Sequence, residues 1–146
     1  LGLVAKLKRE RSIWFDNDMR DPAEVIGKLL NFLGAPMYNF SLPTALRSWF
    51  DHVLRAGETF SYSEAGPKGL LTGKKAVVIE SRGGLYSEGP AQAIDFQEPY
   101  LRHLLGFIGI TDVTFVRAEK IGYGPEARDG AIAAARAEIA AVTGGP

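Results

Sequence analysis

Two short segments carry residue types from which a binding site could be built. Residues 35–43 read APMYNFSLP: an apolar run stops at Pro36, and a thioether, a phenol, a carboxamide and a phenyl ring follow as Met37, Tyr38, Asn39 and Phe40. The second segment is Ser81-Arg82-Gly83-Gly84. Its paired glycines permit unusual backbone angles and let main-chain N–H groups come close to a ligand.

Other chemistries fit poorly. A nucleophile elbow needs glycine two residues before and after the serine, and Ser81 has Ile79 on the first side. His52 and His103 are the only histidines, and each falls inside an amphipathic helix pattern, where an ordinary helix residue is the plainer reading. No His/Asp/Glu cluster repeats at ligand spacing, and the lack of cysteine removes thiolate metal sites and disulfides. Leu71-Thr72-Gly73-Lys74-Lys75 hints at a phosphate loop but has Lys68 where the first glycine belongs and Lys75 in place of Ser or Thr. Gly122-Tyr123-Gly124 lacks the third glycine of a dinucleotide fingerprint and, with Pro125-Glu126 after it, reads as a turn into a helix.

The elements that position the two segments can be read from periodicity. Lys74 to Glu80 is a short apolar run with little alternation, as in a parallel strand covered on both faces, and Asp112 to Arg117 is another. Tyr100 to Leu105 reads as a helix ending at Gly106, and Glu126 to Val142 as an alanine-rich helix. From Pro43 to Arg55, Leu42, Leu46, Trp49, Phe50, Val53 and Leu54 recur at spacings of three and four and form one apolar face, with Gly57 as a stop. Further back, Asp21-Pro22-Ala23-Glu24 has the form of a helix start; a helix to about Lys28 and a strand from about Leu30 are expected. Strand and helix alternating in this way predict a parallel α/β sheet with right-handed crossovers.

Both segments then fall immediately after parallel strands, at the carboxyl edge where open α/β sheets bind ligands. Apolar faces, an amide able to donate and accept, and a backbone cradle suit a planar heteroaromatic with a hydrogen-bonding edge; a flavin is the obvious candidate. A flavin carries hydride chemistry itself, which accounts for the absence of a visible acid–base pair. Taken alone, APMYNF reads as well as a strand-to-helix turn with core aromatics, and SRGG as a plain glycine turn.

Composition sets the remaining bounds. The 146 residues, 46% apolar and 23% charged, fit a single domain spanning 1–146, with 1–34 as an atypical N-terminal segment. Seventeen basic residues balance seventeen acidic ones, so no electrostatic feature points to nucleic acid or an anionic membrane. No apolar run reaches bilayer length, and no signal-peptide pattern opens the sequence, so a cytoplasmic location is expected.

The order of motifs adds a resemblance. APMYNFSLP, Arg55-Ala56-Gly57-Glu58-Thr59-Phe60, Gly69-Leu70-Leu71-Thr72-Gly73-Lys74-Lys75, Ser81-Arg82-Gly83-Gly84, Gly106-Phe107-Ile108-Gly109-Ile110 and Gly122-Tyr123-Gly124-Pro125-Glu126 together resemble the FMN-dependent NADH:quinone oxidoreductases, or NADH-azoreductases, over residues 35 to about 143. The resemblance implies a flavodoxin-like fold, a homodimer with sites at the subunit interface, and ping-pong hydride transfer from NADH or NADPH through FMN to quinones or azo compounds. By position, Met37, Tyr38, Asn39 and Phe40 match the first flavin-contacting loop, and Ser81, Arg82, Gly83 and Gly84 the second. Tyr62 and Phe107 match aromatics on the substrate side, although packing of a core or an interface accounts for them nearly as well. At Tyr86 some relatives carry histidine. No residue is assigned as general acid or base.

The stretch before Pro36 departs from that family. Its members open with a strand and a serine-rich loop that holds the FMN phosphate at a helix N-terminus, whereas here Ser12 is the only serine before Pro36 and there is no threonine. The first strand or strands of the fold are therefore expected to be missing or replaced. Losing three charge-assisted hydrogen bonds to phosphate would cost about 4 kcal/mol, on the order of a thousandfold in affinity. Two alternatives follow: a non-catalytic family fragment that keeps the ring loops but not the cofactor, and a binding module for another flat aromatic such as a quinone.

Overall fold

The computed structural model describes residues 32–144; the expected helix from Asp21 and the expected strand start at Leu30 lie outside the described residues. In chain order the elements are β1 (Phe32–Pro36), α1 (Thr44–Val53), β2 (Phe60–Ser63), β3 (Gly66–Gly69), β4 (Lys75–Ser81), a 3-10 turn (Pro90–Ile94), α2 (Glu98–Phe107), β5 (Asp112–Ala118) and α3 (Pro125–Thr143). The strands β1, β4 and β5 form a sheet in the order β1-β4-β5, and both pairings are parallel. β2 and β3 form a separate antiparallel hairpin.

Side-chain alternation along the strands divides the sheet into two faces. Leu33 and Ala35 of β1, Ala76 and Val78 of β4, and Phe115 of β5 join one core with Trp49, Phe50 and Val53 of α1 and Leu101, Leu104 and Leu105 of α2. Val77, Val116 and Ala118 point the other way and pack with Ala135 of α3. β4 is buried on both faces, which is why its apolar run lacks alternation. The apolar stripe expected on α1 is borne out: Leu42, Trp49, Phe50 and Val53 are in the core, with Leu46 and Leu54 packed against it. Full burial of each large apolar side chain of this stripe contributes about 1.5–3 kcal/mol.

The helices differ from expectation mainly at their ends. Pro43 is the cap of α1 rather than its first residue, and the helix closes at Val53, with Leu54 N–H donating to the Phe50 carbonyl. α2 starts earlier than expected, at Glu98, because Asp95 Oδ1 accepts from the Gln97 and Glu98 amides. It also runs one residue past Gly106. α3 begins at Pro125 behind Gly124 at φ 108°, the turn into a helix expected there. Among the described residues no helix is long and apolar enough to cross a membrane.

The β2–β3 hairpin is not foreshadowed by periodicity. It docks on the end of α2 through a contact between glycine backbones. A Cβ placed on Gly69 would lie 2.1 Å from the Gly109 nitrogen and 2.4 Å from the Ile108 carbonyl carbon. Beside this contact the Leu71 amide donates to the Ile108 carbonyl at 2.9 Å.

Candidate functional site

The first loop leaves β1 as a tight reverse turn. Tyr38 and Ser41 exchange backbone hydrogen bonds of 3.0 and 3.1 Å around Asn39 and Phe40, both at positive φ (47° and 68°). Two consecutive left-handed residues are the signature of a type I′ turn. Asparagine adopts that conformation readily, but a phenylalanine there is strained. The strain is held in place by neighbours: the Phe40 carbonyl accepts from the Phe96 amide at 3.0 Å, and Ser41 Oγ donates to the Phe96 carbonyl at 3.3 Å. The consequence is exposure of apolar surface, with Tyr38 at 61% and Phe40 at 45%.

The second loop leaves β4 alongside the first. Met37 N–H donates to the Ser81 carbonyl at 2.9 Å, extending the β1–β4 ladder past the strand ends. On its other side the loop runs against residues 118–122: the Arg82 amide donates to the Ala118 carbonyl, and the carbonyls of Gly83 and Gly84 accept from Gly122 and Lys120, each at 2.9 Å. Gly122 suits this approach, since a Cβ there would meet the Gly83 oxygen at 3.0 Å. The carbonyls are thus committed, while the Gly83 and Gly84 amides have no hydrogen-bond partner among the described residues. A Cβ on Gly83 would meet nothing within 4 Å, so that side of the loop is open. The two loops meet through Phe40 and Tyr86, whose rings stand edge to face with centroids 6.2 Å apart.

The side chain of Arg82 turns inward, away from that open surface. Its relative exposure is 1%, and four carboxyl groups surround it: Glu80 on Nη2, Asp95 at 3.0 Å and Glu119 at 3.3 Å from Nη1, and Glu98 at 3.6 Å from Nη2. Its Nε donates to Gln97 Oε1 at 3.1 Å, and Gln97 Nε2 passes the connection to the Ala35 carbonyl at 2.8 Å. One guanidinium therefore ties together the end of β4, the N-terminus of α2, the exit of β5 and, through Gln97, the end of β1. Glu98 is held as well by Arg102 and by Arg117, each at 2.7 Å. Sequence reasoning assigned a role to the loop of Arg82 but missed Glu80, Asp95, Gln97, Glu98 and Glu119. The available signal was strand parity: Glu80 and Arg82 continue the face of Ala76 and Val78, and Arg117 and Glu119 that of Phe115.

Burial shapes the titration of these acids. Desolvation pushes the Glu80 carboxyl up to about 7 despite Arg82 beside it, and its Oε1 is buried without a hydrogen-bond partner, an arrangement less costly for a neutral acid. For Glu98, burial acts upward but hydrogen bonds and charge from Arg117 and Arg102 outweigh it and hold it low. Burial also opposes ionisation of Glu119, yet bonds from Ser87, the Tyr86 amide and Arg82 keep it low. Because the folded-state value of Glu80 is raised, its contribution to stability is full below the ordinary value and is lost as pH rises through about 7. The complete loss amounts to about 3 kcal/mol. Glu98 and Glu119 act oppositely and lose their contribution as pH falls below the ordinary carboxylate range. Glu80→Gln is expected to flatten the fall of the thermal midpoint between about pH 4.5 and 7 while leaving the limb below it intact; parallel pH profiles for the two proteins would refute the assignment.

Tyr62 and Phe107 lie in a cluster of their own. Phe60 stands between them, 5.4 Å from Tyr62 and 4.6 Å from Phe107 between ring centroids, and Tyr62 is 70% exposed at the tip of the hairpin. No hydrogen bond or ring contact among the described residues joins this cluster to Met37, Tyr38, Asn39, Phe40 or residues 81–84. His103 packs beside Phe107, and His52 Nδ1 is 2.7 Å from the Ser48 carbonyl in its own helix.

Comparison with known proteins decides the family. A family model described as flavodoxin-like fold matches residues 30–142. The chain belongs to the flavodoxin-like family. Within it, the chain is 77% identical over 110 residues to a protein of Hyphomonas neptunium named FMN-dependent NADH:quinone oxidoreductase, covering 75% of this chain and 53% of the relative. An azoreductase from Bacillus anthracis superposes with a TM-score of 0.72 at 32% identity, covering 83% of this chain and 60% of that one. A second Bacillus anthracis structure, an FMN-dependent NADH-azoreductase in complex with FMN, gives a TM-score of 0.64 at 27% identity, over 92% of this chain and 70% of that one. The flavodoxin-like chain spans about half the length of the curated relatives it matches.

Proposed function

We propose that this chain binds the ring system of FMN with residues 37–40 and 81–84 and acts as an FMN-dependent NADH:quinone oxidoreductase that also reduces azo compounds. The observation that carries the reading is the junction of the two loops at the carboxyl ends of adjacent parallel strands, through the Met37–Ser81 hydrogen bond and the Phe40–Tyr86 ring contact. The residues fit the group. Exposed Tyr38 and Phe40 offer apolar faces, Asn39 a carboxamide, and Gly83 and Gly84 uncommitted amides, with open space beside Gly83. Bound FMN would supply hydride transfer from NADH or NADPH to the acceptor. The chain's own part is to grip the ring edge, exclude water from its face and present donors to its carbonyl groups.

Support also comes from the names of the relatives, which act with FMN and NADH. The separation of Tyr62 and Phe107 from the two loops favours a homodimer in which each chain brings an aromatic wall to its partner's ring site. A cytoplasmic setting, where NADH is at hand, suits the reading. A purified chain is expected to quench FMN fluorescence saturably at micromolar concentration, to stay yellow after dialysis, and then to oxidise NADH with quinones. No binding up to near-millimolar FMN would overturn the proposal and leave a family fragment without its cofactor.

A further inference from the structure

We propose that Glu119 is a positioning residue for the ring site: its carboxylate fixes the Tyr86–Ser87 turn and so sets the Tyr86 ring between the two loops. The role rests on the flavin reading given above. Four donors converge on this carboxylate. The amides of Tyr86 and Ser87 donate to Oε1 at 2.9 and 3.0 Å, Ser87 Oγ donates to Oε2, and Arg82 Nη1 lies 3.3 Å from Oε1. The glutamate comes from the exit of β5, more than thirty positions along the chain from the turn it holds.

The turn governs where Tyr86 sits. Its ring lies against Gly84, where an added Cβ would be 3.1 Å from Cε2, and meets Phe40 edge to face. It is thus a side chain in contact with both candidate loops. Beyond Glu119, the turn is tied by Gln92 Nε2, which donates to the Ser87 carbonyl at 3.2 Å. A simpler role for Glu119, neutralising Arg82, explains less. Without it Arg82 retains Glu80, Asp95 and Glu98, whereas the Tyr86 and Ser87 amides have no other acceptor among the described residues. Binding those amides is the contribution that its neighbours do not duplicate.

A double-mutant cycle on FMN affinity tests the idea, read by fluorescence quenching at a temperature where every variant is folded. Glu119→Ala and Tyr86→Ala should each weaken FMN binding about tenfold, and the double variant should be no weaker than Tyr86→Ala alone, because Glu119 acts through Tyr86. Glu119→Gln, which keeps Oε1 for both amides, should recover most of the loss. Independently of FMN, nuclear Overhauser contacts between the Phe40 and Tyr86 rings should vanish in Glu119→Ala and persist in Glu119→Gln. Additive losses, an unchanged affinity in Glu119→Ala, or surviving ring contacts in that variant would each overturn the proposal. A wild-type chain that takes up no FMN would instead overturn the flavin reading, and this role with it. That outcome is distinct from a wild type that binds alongside a Glu119→Ala variant that binds equally well.

Discussion

Replacing Arg82 by methionine is expected to lower the free energy of unfolding by about 3–5 kcal/mol, the cost of stranding buried carboxylates without their cation. The size depends on what the four acids retain. Glu98 keeps Arg102 and Arg117, Glu119 keeps the Tyr86–Ser87 turn, and Asp95 keeps the first amides of α2. Glu80 has no such second partner and would take up a proton instead, given a value already near 7. The loss should therefore be smaller near pH 5.5, where Glu80 is neutral, and larger near pH 8. Lysine is not a conservative substitute. Its single ammonium cannot serve Gln97 from one nitrogen while two others reach Glu80, Asp95 and Glu119. Urea unfolding at the two pH values is the measurement, and a methionine variant within about 1 kcal/mol of wild type at both would show that the cluster is not holding the loops.

Gly69→Ala is the second large effect. The added methyl would sit 2.1, 2.4 and 2.5 Å from backbone atoms of Gly109 and Ile108, none of which can rotate aside as a side-chain tip would. The two backbones must separate by about 1 Å, and the neighbouring Leu71–Ile108 hydrogen bond of 2.9 Å is lost with them. A destabilisation of about 3 kcal/mol or more is expected. The hairpin that carries Phe60 and Tyr62 would also leave its seat beside Phe107. Gly34→Ala serves as the control: its Cβ meets nothing within 4 Å, and the change should be neutral to slightly favourable. Similar midpoints for the two variants in thermal unfolding would refute the account.

Local pattern made some of this molecule readable and left other parts hidden. β4 and β5 are apolar runs bounded by charge and glycine, and α1 carries a regular stripe, so their existence and parallel arrangement follow from period and spacing. Both loops were legible because each follows a strand and breaks its pattern with unusual residues. The β2–β3 hairpin was not, since Gly66-Pro67-Lys68-Gly69 has no alternation and owes its place to a contact with Gly109, distant in sequence. Arg82 is the instructive case. Loop chemistry draws attention to a guanidinium as a ligand for something bound, but strand parity continued by two residues sends it into the interior. The acids that receive it are scattered from Glu80 to Glu119, and only the packed sheet assembles them.

The charge count of that interior has an evolutionary corollary. Four carboxyls meet three guanidiniums, and a proton on Glu80 makes the two sets equal. No member other than Glu80, neutral when protonated, can be exchanged singly for a neutral residue without leaving the sum uneven around the buried Arg82. Lineages that abandon Arg82 should have given up one of the ionised acids in the same step, so that the ensemble is inherited as a block; descendants keeping Asp95, Glu98 and Glu119 around a neutral position 82 would contradict this.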